Sequence, residues 1–153
     1  MKRLYDLIQF PYCHGWAIAI LRIMTGVVFF AHGYKKVFVD RLNGFASFLS
    51  QIGVPAPDFF APVVAGVELL GGLALILGLF TRWVSIPLAI NMLVAAVTVH
   101  LKNGFFLPNG YEYTLMLLAA TVSLFLAGSG EFAIDNILFR ETKTPVSTTP
   151  AMA

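Results

Sequence analysis

The sequence is short of charge and almost without cysteine. Asp, Glu, Lys and Arg make up 12% of its 153 residues, against 58% hydrophobic ones. A soluble domain carries about 25% charge. Half of that leaves too little polar surface to cover a water-exposed globule, and the mean hydropathy of +0.81 agrees. The class expected is a single-domain integral membrane protein. The formal net charge is +2, and no run of basic residues tracks a phosphate backbone, so nucleic acid is excluded as a partner. Cys13 is the one cysteine. That rules out an intrachain disulfide and a CxxC dithiol, and counts against a stand-alone thiol–disulfide oxidoreductase. Cys13 reads as a small apolar filler at the start of the first helix. Lys2 and Arg3 resemble the basic start of a signal peptide, but Arg22 interrupts the apolar run and no small-residue cleavage site follows cleanly. The first apolar segment is therefore expected to be retained as a span.

What the chain does have is four apolar stretches. Residues 1–14 form an interfacial lead in which Tyr5, Phe10, Tyr12 and Trp16 suit the headgroup zone. Spans are expected at about 15–33, 59–80, 83–100 and 111–127, each near the length that crosses a hydrocarbon core. Between the first two, Leu42, Phe45, Phe48, Leu49 and Ile52 recur at helical spacing among polar residues, which predicts a short amphipathic helix lying in the interface. Gly53 to Asp58 breaks it. Residues 15–140 are thus one membrane domain, and the Thr/Pro/Ser-rich 141–153 is expected to be a disordered tail. The fold class expected is all-α, a transmembrane four-helix bundle with both termini on one side. Lys2, Arg3, Arg82, Arg140 and Lys143 fall on the terminal side and Lys35, Lys36, Arg41 and Lys102 on the other, a balance that tips slightly towards cytoplasmic termini.

A charge in hydrocarbon costs about 2.5–3.5 kcal/mol on insertion scales, so intramembrane polar residues face partners or water. The candidates for a polar pocket are Arg22, His32, Lys36, Glu68, Asn91, His100 and Glu112. Helical periodicity places Arg22 on one face with Thr25, Gly26, Phe29, His32, Gly33 and Lys36, and Glu68 with Ala61, Ala65, Gly71, Gly72 and Leu75. Gly26, Gly33, Gly71, Gly72 and Gly78 are expected to let helices approach closely. Asn91 shares a face with Ala95 and Thr98, and His100 points roughly the opposite way. Counting the rise per residue from the rim away from the termini (the distal rim), His32, His100 and Glu112 lie at the rim, Glu68 about 10 Å below and Arg22 about 16 Å. An Arg22 guanidinium spans the remaining gap to Glu68. Two readings stand: an Arg22–Glu68 pair that fixes helix register, or a shared polar pocket in the distal half. No metal is expected. His14, His32 and His100 are too dispersed for zinc, and His32 with His100 are better explained as interfacial than as haem ligands. Gly71, Gly72 and Gly78 lack the lysine-serine ending of a phosphate loop.

Several pieces in order carry a family likeness. They are Leu21-Arg22 with Gly26 and His32-Gly33-Tyr34-Lys35-Lys36; Gly53-Val54-Pro55-Ala56-Pro57; Glu68-Leu69-Leu70-Gly71-Gly72 with Leu77-Gly78-Leu79-Phe80-Thr81-Arg82; His100 with Asn103-Gly104-Phe105-Phe106; and Gly110-Tyr111-Glu112-Tyr113. With these the chain resembles the DoxX family of small four-helix membrane proteins, from about Leu21 to Leu138. Gly128-Ser129-Gly130 and Asp135 look like the family's closing segment, with Ser129 where proline is common. The resemblance carries over Arg22, Lys36, Glu68, His100 and Glu112 as characteristic positions. It implies a bacterial inner-membrane protein. Some DoxX and DoxD-like members are linked to thiosulfate:quinone oxidoreduction, some to membrane redox complexes, and most have no established reaction.

The function expected is a membrane component of a redox system that contacts a quinone or a small sulfur species. In it Arg22 or Lys36 holds an anion and Glu68 or Glu112 relays protons. The other classes are a non-catalytic scaffold or assembly subunit for other membrane or redox proteins, and a small-solute, lipid or sterol binder. The lipid bilayer is the one partner every reading shares; an oligomer is open.

Overall fold

The computed structural model describes residues 13–138. The expected interfacial lead, all but its last two residues, and the expected disordered tail lie outside the described residues, as do Lys2, Arg3, Arg140 and Lys143. The described chain is helical. Helix α1 covers Cys13–Tyr34 and runs on through a π-helical turn at Lys35–Val39. Helices α2 (Arg41–Gln51), α3 (Pro57–Leu77) and α4 (Thr81–Ala95) follow. A second π-helical turn, Ala96–His100, and a 3₁₀ turn, Leu101–Asn103, prolong α4; α5 (Glu112–Ala127) and the short α6 (Ile134–Leu138) complete the chain. Three segments are long and apolar enough to cross a membrane: Gly15–Val39, Pro57–Leu77 and Thr81–Asn103. The apolar α5 is shorter at 16 residues, about 24 Å at 1.5 Å per residue.

Small residues decide how the helices meet. Antiparallel α1 and α3 pack backbone to backbone. A Cβ on Gly26 would stand 2.8 Å from the Gly72 carbonyl oxygen, one on Gly72 would strike the backbone of Phe30, and one on Gly33 the backbone of Leu69. Gly71 faces α4 instead, where its Cβ would meet the Leu88 side chain at 3.3 Å. Around this seam Phe29, Leu75, Leu88, Met92, Leu117 and Leu124 form the core. Ser85 and Thr121 are buried among them without cost, since each hydroxyl donates to a carbonyl of its own helix, Thr81 O at 2.7 Å and Leu117 O at 2.9 Å.

The outward faces are apolar too. Ile20 and Met24 on α1, Leu70 on α3, Ile90 on α4 and Val97 in the π turn that prolongs it, and Met116 and Leu126 on α5 are all more than half exposed. In water such a surface is an aggregation liability; in a bilayer it is the lipid face. The protein is a helical membrane bundle. Amphipathic α2 lies against its distal end, burying Ala46 and Leu49 on Ala61 of α3, with Phe45, Ile52 and Val54 around them.

Candidate functional site

Side chains on a helix lean towards its N-terminus. On antiparallel neighbours they therefore lean in opposite directions, and this sorts the buried charges. Lys36, in the π turn at the distal end of α1, leans back into the membrane. Glu68, midway along α3, leans outward. They meet: Lys36 Nζ donates to Glu68 Oε2 in a short charge-assisted hydrogen bond. On the other side Asn91 Nδ2 of α4 donates to Glu68 Oε1 at 2.8 Å. Glu68 is 2% exposed, so both carboxylate oxygens are satisfied inside the bundle, by groups from two other elements. The Lys36 ammonium also lies 5.0 Å from the centre of the Phe45 ring of α2, a cation–π geometry.

This cluster is the polar end of a cavity of ≈ 630 Å³ between α2, α3 and α4. Lys36, Glu68, Asn91, Thr98 and His100 supply its polar groups; Phe45, Phe48, Leu49, Ile52, Phe60, Val64 and Val94 are prominent in its walls. Both π turns contribute to the lining, through Lys36 on one and Thr98, Val99 and His100 on the other. His100 is held at the edge by a 2.8 Å contact of its Nδ1 with the Asn109 carbonyl.

Arg22 is elsewhere. The expected Arg22–Glu68 pair is not formed, because the arginine leans down α1, away from the distal half. Its side chain is fully buried and its donors all go to carbonyls: Nε to Ser129 O at 2.8 Å, Nη1 to Leu75 O and Ile76 O at 2.6 and 3.0 Å, Nη2 to Glu131 O and Phe132 O, both at 3.1 Å. A guanidinium has five N–H groups, and here each has an acceptor. None is left for an anion, so the expectation that Arg22 holds one is corrected. Arg22 instead fastens the C-terminal end of α3, where unpaired carbonyls gather, to the segment after α5. Gly78 closes α3 in the left-handed conformation (φ +68°), the usual helix cap, and a Cβ there would lie 2.6 Å from Arg22 Nη1. Asp135 completes this proximal lock, accepting from the Phe80 and Thr81 amides at 2.7 and 3.1 Å at the start of α4.

The two remaining candidates also lie outside the cavity. His32 is exposed and lines an adjoining depression with Lys35, Lys36 and Asp40, which shares Lys36, Phe45 and Phe48 with the cavity; its ring is 6.1 Å from that of Tyr113. Glu112 accepts from the Leu107 amide at 2.7 Å and so braces the loop between α4 and α5. Among the described residues no three His, Cys, Asp or Glu side chains converge as a metal site.

The sequence pattern of the DoxX family matches residues 17–101, more than half of the chain. The protein belongs to the DoxX family. Among its DoxX-type relatives is CatD of Bacillus subtilis, whose name marks it as a candidate oxidoreductase; it is 36% identical over 124 residues, covering 81% of this chain and 88% of CatD. The membrane protein Rv3486 of Mycobacterium tuberculosis is 30% identical, over 80% of this chain and 81% of its own. The inner membrane protein YqjF of Escherichia coli is 27% identical, over 90% and 97%. No solved structure matches.

Within this DoxX bundle, His100 departs most from helical periodicity. At 3.6 residues per turn His100 falls opposite Asn91, yet both line one cavity. The intervening turn at Ala96–His100 is π-helical, and its wider i→i+5 winding swings later side chains back around the axis. The aromatic wall from α2 is visible in sequence as an amphipathic stripe, but nothing in the stripe says that it faces a carboxylate.

Proposed function

We propose that this DoxX-family protein is a quinone-binding component of a bacterial inner-membrane redox system, with the cavity between α2, α3 and α4 as the quinone site. The observation that carries the proposal is the Lys36–Glu68–Asn91 cluster at the end of an aromatic-walled cavity. Lys36 and Glu68 neutralise each other, so the site favours an uncharged ligand over a sulfur oxyanion, which would lose its hydration for no net field. Donors remain: an ammonium has three N–H groups and an amide two, and Glu68 takes one from each. A ring carbonyl oxygen accepts those that are left. Phe45, Phe48 and Phe60 offer stacking surface, and the volume suits a head group with the start of its tail. The name of CatD points the same way.

Electrons reach or leave the ring through a partner subunit or a reduced sulfur donor, and Glu68, hydrogen-bonded to both neighbours, is the group placed to exchange the accompanying proton. The termini face the cytoplasm and the cavity lies in the outer half, in keeping with the slight excess of cations on the terminal side. The test is titration of a decyl-chain para-benzoquinone into protein reconstituted in lipid nanodiscs, followed by quenching of its aromatic fluorescence. Saturable binding that weakens about tenfold or more in Lys36→Met supports the site. Saturable binding unchanged in both Lys36→Met and Glu68→Gln contradicts it. A Glu68→Gln effect on folded yield alone favours the scaffold alternative.

A further inference from the structure

His100 has a hydrogen-bonding role fixed by its neighbour. Its Nδ1 contacts the backbone carbonyl of Asn109 at 2.8 Å. A carbonyl oxygen only accepts, so Nδ1 carries the hydrogen, and the neutral ring keeps a lone pair on Nε2. No partner for Nε2 is found among the described residues, and His100 lines the cavity. The cavity therefore has acceptors near both ends: the Glu68 carboxylate at the floor, with lone pairs beyond the two in use, and an imidazole nitrogen at the edge.

Asn91 and His100 lie nine positions apart on one continuous helical segment, on separate turns, and both line the cavity, so a ring bound in it can meet the two with different atoms.

We infer that the site selects the reduced form of its ligand, a quinol, with one ring oxygen beside Lys36, Asn91 and Glu68 and the opposite hydroxyl donating to Nε2 of His100. The inference rests on the quinone assignment above. A quinol has a proton to place between its oxygen and each of the two acceptors. In the oxidised ring a carbonyl oxygen confronts the Nε2 lone pair with no proton between them, and a buried acceptor left unpaired discriminates strongly. His100 is thus the specificity-determining residue and Lys36 with Asn91 the shared anchor.

The experiment compares four probes on nanodisc-reconstituted protein under anaerobic conditions: a decyl-chain para-benzoquinone, its quinol, and the quinol's mono- and dimethyl ethers. Wild type is expected to bind the quinol about tenfold or more tighter than the quinone, with the preference lost in the dimethyl ether. His100→Phe is expected to bring the ratio of quinol to quinone affinity to within about threefold of one, read as the ratio and not as the affinity of either probe. Should that variant not fold, the ether series on wild type decides. Equal affinity for quinone, quinol and dimethyl ether, or a quinol preference that persists in folded His100→Phe, overturns the inference and leaves the quinone site standing. Failure of all four probes to bind overturns both.

Discussion

Arg22 and Glu68 lie on neighbouring helices and turn away from each other: the arginine reaches the carbonyls of Leu75 and Ile76 at the proximal end of α3, while the glutamate meets Lys36 and Asn91 in the distal half. The bundle thus has two polar centres with different uses. In the proximal one every Arg22 donor is committed to the backbone. The distal one keeps donors in reserve beside a cavity.

Replacing Arg22 should cost the fold. Arg22→Met removes five hydrogen bonds to carbonyls, those of Leu75 and Ile76 in the bundle among them, and an unsatisfied buried polar group costs about 1–3 kcal/mol. A loss of at least about 3 kcal/mol is expected, seen as a sharply lower yield of folded protein and an earlier thermal transition in detergent. Arg22→Lys should rescue little, because an ammonium has three donors and no planar fork. An Arg22→Met protein as stable as wild type is the outcome that sinks this assignment.

Asp135→Ala removes the carboxylate that caps the start of α4. Loss of a cap of this kind costs about 0.5–2 kcal/mol. Thermal unfolding followed by circular dichroism should show a smaller drop than for Arg22→Met, with quinone affinity in the folded protein unchanged.

Lys36 and Glu68 should behave as a coupled pair. Lys36→Met alone strands a buried carboxylate and Glu68→Gln alone strands a cation, whereas the double variant strands neither. Breaking one side of a buried pair costs about 3–5 kcal/mol, and replacing both sides is often near neutral. A double-mutant cycle on unfolding free energies is expected to show non-additivity of at least about 1 kcal/mol; additive costs would mean that the pair does not couple.

The glycines make a graded prediction. Gly72→Ala and Gly33→Ala drive a Cβ into the backbone of the partner helix, whereas Gly71→Ala meets only the Leu88 side chain, at 3.3 Å. Gly66 has nothing within 4 Å of a built Cβ. Overpacking costs typically about 1–3 kcal/mol, so stability should fall in the first two, change little in Gly71→Ala, and hold or rise in Gly66→Ala. A Gly72→Ala protein indistinguishable from Gly66→Ala would show that α1 and α3 are not in backbone contact.

The helical class and the apolar stretches are legible in composition and period alone, because a bilayer tolerates little else. The importance of Glu68 is legible from its cost in hydrocarbon. Its partner is not. Rise per residue locates a Cα, and on antiparallel helices the lean of each side chain adds a displacement of opposite sign. For Arg22 and Glu68 it opens the gap; for Lys36 and Glu68 it closes one. The π turn at Ala96–His100 is also hidden from a count at 3.6 residues per turn, which is why His100 reads as pointing away from Asn91. Asp135 reads only as part of a closing motif, since nothing local links it to amides more than 50 positions earlier.

The central claim, that the cavity holds the quinone, is tested most directly by photoaffinity labelling. An azido-quinone irradiated with the nanodisc-reconstituted protein, followed by peptide mass mapping, should label α2 around Phe45 to Ile52 and α4 around Asn91 to His100, with labelling suppressed by excess unlabelled quinone and reduced in Lys36→Met. Labelling spread over lipid-facing residues such as Met116 and Leu126 of α5, and not displaced by excess quinone, contradicts the account.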